Sequence, residues 1–80
     1  MTREEILAGL GDVFCQVLGR EVDLAEETTP AEVEGWDSLA HVTLILATEK
    51  RFGVKFTGAE IANAAGIGAL IALIEKKLRH

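Results

Sequence analysis

Asp37, Ser38 and His41 stand close enough in the chain to raise the question of a serine nucleophile with an acid and a base beside it. Such a set works only when nucleophile and base lie within hydrogen-bond reach. Residues 38 and 41 are neighbours on one helix face, but no oxyanion loop with convergent glycines accompanies them. The triad is therefore discounted, and His41 is expected on the helix surface or at the edge of the core. Glu4-Glu5 and Glu26-Glu27 are adjacent acids whose side chains diverge on a helix, so they read as solvated carboxylates. Cys15 is the only cysteine, which excludes an internal disulfide, and no His, Cys, Asp and Glu cluster has the spacing of a metal site. His80 is a chain end expected to fray. Ser38 itself remains: it follows an acidic stretch and opens a helix, where unpaired N–H groups and a partial positive charge suit a phosphate ester on its oxygen. On capping physics alone, Ser38 is simply an N-cap.

The elements around Ser38 follow from composition and periodicity. Eighty residues hold one domain, 1–80, with a modest core, since so short a chain buries only about 60% of the surface it exposes when unfolded. Hydrophobic residues make up 49% and charged ones 26%, which excludes a disordered tail. Aromatics are only 5%, so the core is aliphatic and the Leu, Ile and Ala content points to an all-α fold. The net charge of −5 disfavours a nucleic-acid backbone as ligand. That charge is unevenly spread: residues 1–37 carry a net −8 and residues 38–80 a net +3, with Ser38 at the seam. No apolar run approaches the ~20 residues that span a bilayer and no signal-like start is present, so a soluble, cytoplasmic chain is expected without membrane insertion.

Thr2 with Glu5 forms a capping-box pattern, and Ile6, Leu7, Leu10, Val13, Phe14, Val17 and Leu18 recur at helical spacing up to Gly19. Cys15 falls ~180° from Ile6 on this helix, which predicts an exposed thiol. Residues 20–37 form a long acidic loop with Val22, Leu24, Val33 and Trp36 as anchors, and Thr29-Pro30 starts a short turn within it. A second helix begins at Asp37 or Ser38 and ends before Gly53. With Leu39 at 0°, Val42 and Leu46 fall at ~300° and ~340°, whereas Leu44, Thr48, His41, Phe52 and Ile45 lie between about 140° and 240°. This helix therefore has two apolar faces, one for the core and one for a second element or a partner. Val54, Lys55 and Phe56 alternate like a short extended segment. Thr57 and Glu60 then cap a short helix, and Ile67, Leu70, Ile71, Ile74 and Leu78 mark the last one, with Lys76, Lys77 and Arg79 at its negative end.

The run Gly35-Trp36-Asp37-Ser38-Leu39, followed by Val42, Leu44, Ile45, Leu46, Glu49, Phe52 and Gly53, closely resembles the attachment region of acyl carrier proteins. The resemblance extends through Val54-Lys55-Phe56 to the Ile67, Ile71 and Ile74 pattern, nearly the whole chain. It implies a four-helix bundle of three longer helices and one short one. It further implies that Ser38 receives 4′-phosphopantetheine from coenzyme A through a phosphopantetheinyl transferase, with Asp37 assisting the magnesium-dependent reaction. The carrier itself catalyses nothing; the arm holds acyl groups as thioesters for fatty-acid, polyketide or related biosynthesis. By the same resemblance, Leu39, Val42, Leu46 and Glu49 meet partner enzymes such as ligases, acyltransferases or ketosynthases. Leu44, Thr48 and Phe52 face an acyl pocket, and the chain acts as a monomer.

Two departures from the family pattern stand out. Glu49 is the only acid after Ser38 in a helix that is usually acidic in fatty-acid carriers, which points to a discrete, specialised carrier with its own partner set. Gly66 and Gly68 replace the Ser or Thr that usually caps the last helix, so that end is expected to be loosely held. Two further readings stay open at this level: an aminoacyl or peptidyl carrier, and an unmodified helical interaction module.

Overall fold

Thr2 starts the first helix by accepting the Glu5 N–H at 3.1 Å while its own N–H donates to the Glu5 carboxylate at 2.8 Å. In a computed structural model, which describes residues 1–79, this helix is α1, Arg3–Leu18. A 3-10 turn at Pro30–Glu32 interrupts the loop that follows, and α2 (Ser38–Phe52), α3 (Gly58–Asn63) and α4 (Ile67–Leu78) complete the bundle. The same reciprocal capping recurs at Thr57 and Glu60 ahead of α3. Gly19 and Gly53 end α1 and α2 in the left-handed region, at φ 74° and 68°, as is common where a helix must turn away. His80 lies outside the described residues.

The core is aliphatic, as its composition requires. Ile6, Leu10, Val13 and Phe14 of α1 pack with Leu44, Ile45 and Phe52 of α2 and Ile67, Leu70, Ile71 and Ile74 of α4. Gly9 brings α1 close to α2, because a Cβ there would stand 2.6 Å from the tip of the Phe52 ring. Thr48 is fully buried, and its hydroxyl donates to the Leu44 carbonyl one turn back at 2.7 Å, so no polar atom is stranded. Val33 and Trp36 are the buried anchors of the long loop, with Val22 and Leu24 packed partly against the same core. Residues 54–56 form a linker rather than a strand; Val54 is buried and the Phe56 N–H donates to the Glu49 carboxylate at 2.8 Å.

Two expectations are corrected. Cys15 is half-buried rather than exposed, because the chain turns back after Gly19 and lays Glu21, Val22 and Asp23 around the same shallow depression. The start of α4 is firmly held: the N–H groups of Ile67 and Gly68 donate to the carbonyls of Thr28 and Glu26, each at 3.0 Å. The α1–α2 loop thus caps α4 with its own backbone. A Cβ on Gly66 or Gly68 would sit 3.2 or 2.9 Å from those oxygens, so glycine admits the loop that replaces a side-chain cap.

Ion pairs reinforce this docking. Arg3 bridges Glu26 of the loop, at 2.6 Å, and Glu75 of α4. Its hydrogen bond holds the Glu26 carboxyl below the usual carboxylate range. Lys77 of α4 reaches Glu60 of α3 at 2.8 Å and, with the Thr57 N–H, lowers that acid as well.

Candidate functional site

Asp37 settles which residue caps α2. Its backbone is extended, at φ −107°, and its Oδ1 accepts the Ala40 N–H at 2.8 Å while its carbonyl accepts the His41 N–H at 2.8 Å. Ser38 is therefore the first residue inside the helix, and its hydroxyl is not used as the cap. Both Asp37 and Ser38 are exposed, so a serine oxygen at the positive end of a 15-residue helix is open to a large partner.

His41 does not serve Ser38. Its Nδ1 accepts the indole N–H of Trp36 at 3.0 Å, and its Nε2 lies 3.1 Å from the carbonyl oxygen of Ile61 in α3. With both ring nitrogens engaged elsewhere, neither is free to act as a base toward the serine hydroxyl. Trp36 stacks near the imidazole, with centroids 6.1 Å apart, and meets the edge of Phe14 at 4.9 Å. These contacts fix the loop immediately before Asp37 and thereby fix the position of Ser38.

A groove of about 410 Å³ runs beside Ser38, walled by Trp36, Ile61, Ala62 and Ala64 and edged by Asp37 and His41. Its size falls within the roughly 300–1,000 Å³ of small-molecule sites, and its mostly apolar walls with a few polar groups suit a flexible amide arm. An exposed serine oxygen, a helix end and an adjoining groove together fit a phosphopantetheine group. Trp36, Ile61 and the alanines were not singled out as groove residues from the sequence; the only tryptophan, placed in an acidic loop, was the available clue.

The two faces of α2 separate as its periodicity predicts. Leu39, Val42 and Leu46 are 81%, 53% and 57% exposed, an apolar stripe running away from Ser38. Leu44, Ile45, Thr48 and Phe52 are buried. Glu49 lies between the two: it is half-buried, and one carboxylate oxygen holds the Phe56 N–H.

Comparison with known proteins accords with this geometry. The phosphopantetheine attachment site family matches residues 8–74. An acyl carrier protein of Thermotoga maritima is 35% identical over 96% of this chain and 96% of its own. A meromycolate extension acyl carrier protein of Mycolicibacterium smegmatis is 33% identical, covering 94% of this chain and 77% of that one. The solution NMR structure of a holo acyl carrier protein from Geobacter metallireducens superimposes with a TM-score of 0.84 at 33% identity, over 92% of this chain and 86% of that one. The chain belongs to the phosphopantetheine-binding acyl carrier proteins, which carry acyl groups on a covalent arm and leave catalysis to other enzymes.

Proposed function

We propose that Ser38 is the residue that bears 4′-phosphopantetheine and that the chain presents the thioester on this arm to a specialised set of biosynthetic enzymes. The observation that carries this reading is the exposed Ser38 hydroxyl, relieved of capping by Asp37 and placed at the mouth of the groove. In the loading step the Ser38 oxygen bonds to the phosphorus of the phosphopantetheine half of coenzyme A. The bond from that phosphorus to the departing 3′,5′-ADP breaks, and the hydroxyl proton leaves to a base of the transferase. Asp37 has Oδ1 committed to Ala40, which leaves Oδ2 to support the transferase's magnesium. When attached, the arm supplies a thiol that holds acyl groups as thioesters.

Tethering raises the effective concentration of the acyl group at each partner's active site. Leu39, Val42 and Leu46 form the docking stripe for the transferase and for ligases, acyltransferases or ketosynthases, with the half-buried Glu49 at its far end. Leu44, Thr48 and Phe52 are the residues an acyl chain meets if the bundle opens to receive it. We infer that residues 1–80 act as one carrier domain, cytoplasmic and monomeric, without nucleic-acid partners. Incubation with fluorescent coenzyme A, magnesium and a broad-specificity transferase tests the assignment: the chain becomes labelled, Ser38→Ala stays dark, and Asp37→Asn labels more slowly. Equal labelling of Ser38→Ala would place the arm elsewhere.

A further inference from the structure

The exposed face of α2 changes character along its length. At the Ser38 end Glu34 and Asp37 are exposed, at the close of the acidic loop. At the other end stand Lys50, in the last turn of the helix, and Lys55, in the linker beyond Gly53. Both are exposed, and neither makes an ion pair among the described residues. Their neighbour Arg51 differs, since it turns to Asp12 of α1 at 3.2 Å. Lys50 complements the negative end of the helix, whereas Lys55 lies beyond the helix and is not explained by it. Ser38 and Lys50 open and close the same helix, about 18 Å apart along its axis.

The two lysines edge a second groove, of about 660 Å³, walled by Thr43, Leu46 and Ala47 of α2 and by Gly53 and Val54 of the linker. Leu46, 57% exposed, is both the last residue of the apolar stripe and a wall of this groove. Glu49 is the one acid on its lining; it is half-buried and bonded through Oε2 to the Phe56 N–H, so the exposed lysines set the sign of the rim. The linker offers little backbone to an added strand. The Val54 N–H already donates to the Glu49 carbonyl at 3.2 Å and the Phe56 N–H to the Glu49 carboxylate at 2.8 Å. An occupant must therefore bind through side chains, as an amphipathic helix does when it lays its apolar face in a groove. An anionic lipid surface fits less well, because the apolar walls are recessed and the net charge of −5 repels it.

We propose that this groove docks an amphipathic helix of a partner protein whose apolar face is edged by carboxylates, with an apolar side chain against Leu46 and Ala47 and acids meeting Lys50 and Lys55. This rests on the α2 docking stripe of the carrier reading and goes beyond it by giving the partner's charge. Acid stands at the Ser38 end and base about 18 Å away, so a partner reads the direction of α2. Its basic residues face the loading end and its acidic helix the far end. Opposed charges of this kind fix register and steer encounter more than they add affinity.

The test uses two capped helical peptides, one with a leucine stripe edged by glutamates and a twin with lysines in their place. NMR titration of the full chain follows the amides of Thr43, Leu46, Ala47 and Val54 and gives Kd for each. The glutamate peptide shifts those amides and binds roughly three- to tenfold tighter than its twin at low salt, a preference that narrows as salt rises. The net charge of −5 alone would favour the lysine peptide, so this order is specific to the groove. Lys50→Glu combined with Lys55→Glu reverses the order. Should that pair fail to fold by circular dichroism, Lys50→Gln with Lys55→Gln keeps the test, and its glutamate preference is lost. Tighter binding of the lysine peptide to the parent chain, shifts confined to amides outside the groove, binding of neither peptide, or shifts of the same amides by phosphatidylglycerol vesicles would overturn the proposal. Labelling of the same samples with fluorescent coenzyme A keeps the two readings apart. A labelled chain that fails the peptide test refutes the groove alone, and an unlabelled chain that passes it refutes the assignment of Ser38 alone.

Discussion

Gly68 donates its backbone N–H to the Glu26 carbonyl at 3.0 Å, and a Cβ on Gly68 would stand 2.9 Å from that same oxygen. The long acidic loop is thus seated on the N-terminus of α4 through backbone, and Arg3 holds Glu26 from the other side. The loop that leads to Ser38 is anchored at its middle by this cap and near its end by Trp36 within the core.

Gly68→Ala pushes the loop off its cap and leaves the Gly68 N–H and Glu26 carbonyl poorly paired. A loss of about 1–3 kcal/mol is expected, read as a lower urea midpoint, with helix content retained below the transition. An unchanged midpoint would mean that the loop accommodates the methyl group.

Two glycines of α1 give a paired contrast. Alanine gains up to about 1 kcal/mol over glycine in a helix interior, and nothing lies within 4 Å of a Cβ on Gly11. Gly11→Ala should therefore stabilise. Gly9→Ala should gain nothing or lose stability, because the Phe52 ring must move from a packed position, an overpacking that costs roughly 1–3 kcal/mol. Thermal melts of the two variants rank them directly; equal gains would contradict the Gly9–Phe52 contact.

Acid should weaken the fold in a defined window. Glu5 is lowered by its bond from the Thr2 N–H, Glu26 by Arg3, and Glu60 by Lys77, all from an ordinary value of 4.5. A depressed acid adds stability that is complete above its ordinary value and is lost as pH falls through the folded value. Urea midpoints should therefore decline as pH drops below 4.5, and Arg3→Gln should flatten part of that decline. A variant with the parent's slope would show that the Arg3 cluster adds nothing.

The exposed stripe of α2 should matter to partners more than to the fold. Val42 is 53% exposed, so Val42→Asp leaves the circular dichroism spectrum intact. A buried interface anchor contributes more than about 1 kcal/mol, so kcat/KM for phosphopantetheinylation should fall roughly five- to tenfold. Undiminished transfer would move the docking surface off this stripe.

Much of this organisation is legible in the residues because its causes are local. Thr2 with Glu5 and Thr57 with Glu60 announce helix starts three residues in advance, Gly19 and Gly53 announce stops, and the angular separation of Leu39, Val42 and Leu46 from Leu44 and Thr48 predicts two faces. Features that depend on distant segments were not legible. Gly66 and Gly68 look like a missing cap until Thr28 and Glu26 arrive from some forty residues away. Cys15 looks exposed until Val22 folds back beside it. His41 reads as a helix-surface or core-edge residue, as it is, but its partners Trp36 and the Ile61 carbonyl appear only in the fold.

Intact mass spectrometry of the chain after incubation with coenzyme A, magnesium and a phosphopantetheinyl transferase, followed by fragmentation, tests the assignment of Ser38 most directly. A gain of about 340 Da, the mass of one phosphopantetheine carrier group, is expected, located on Ser38 and absent from Ser38→Ala. No gain with several transferases, or a gain that persists in Ser38→Ala, would contradict it.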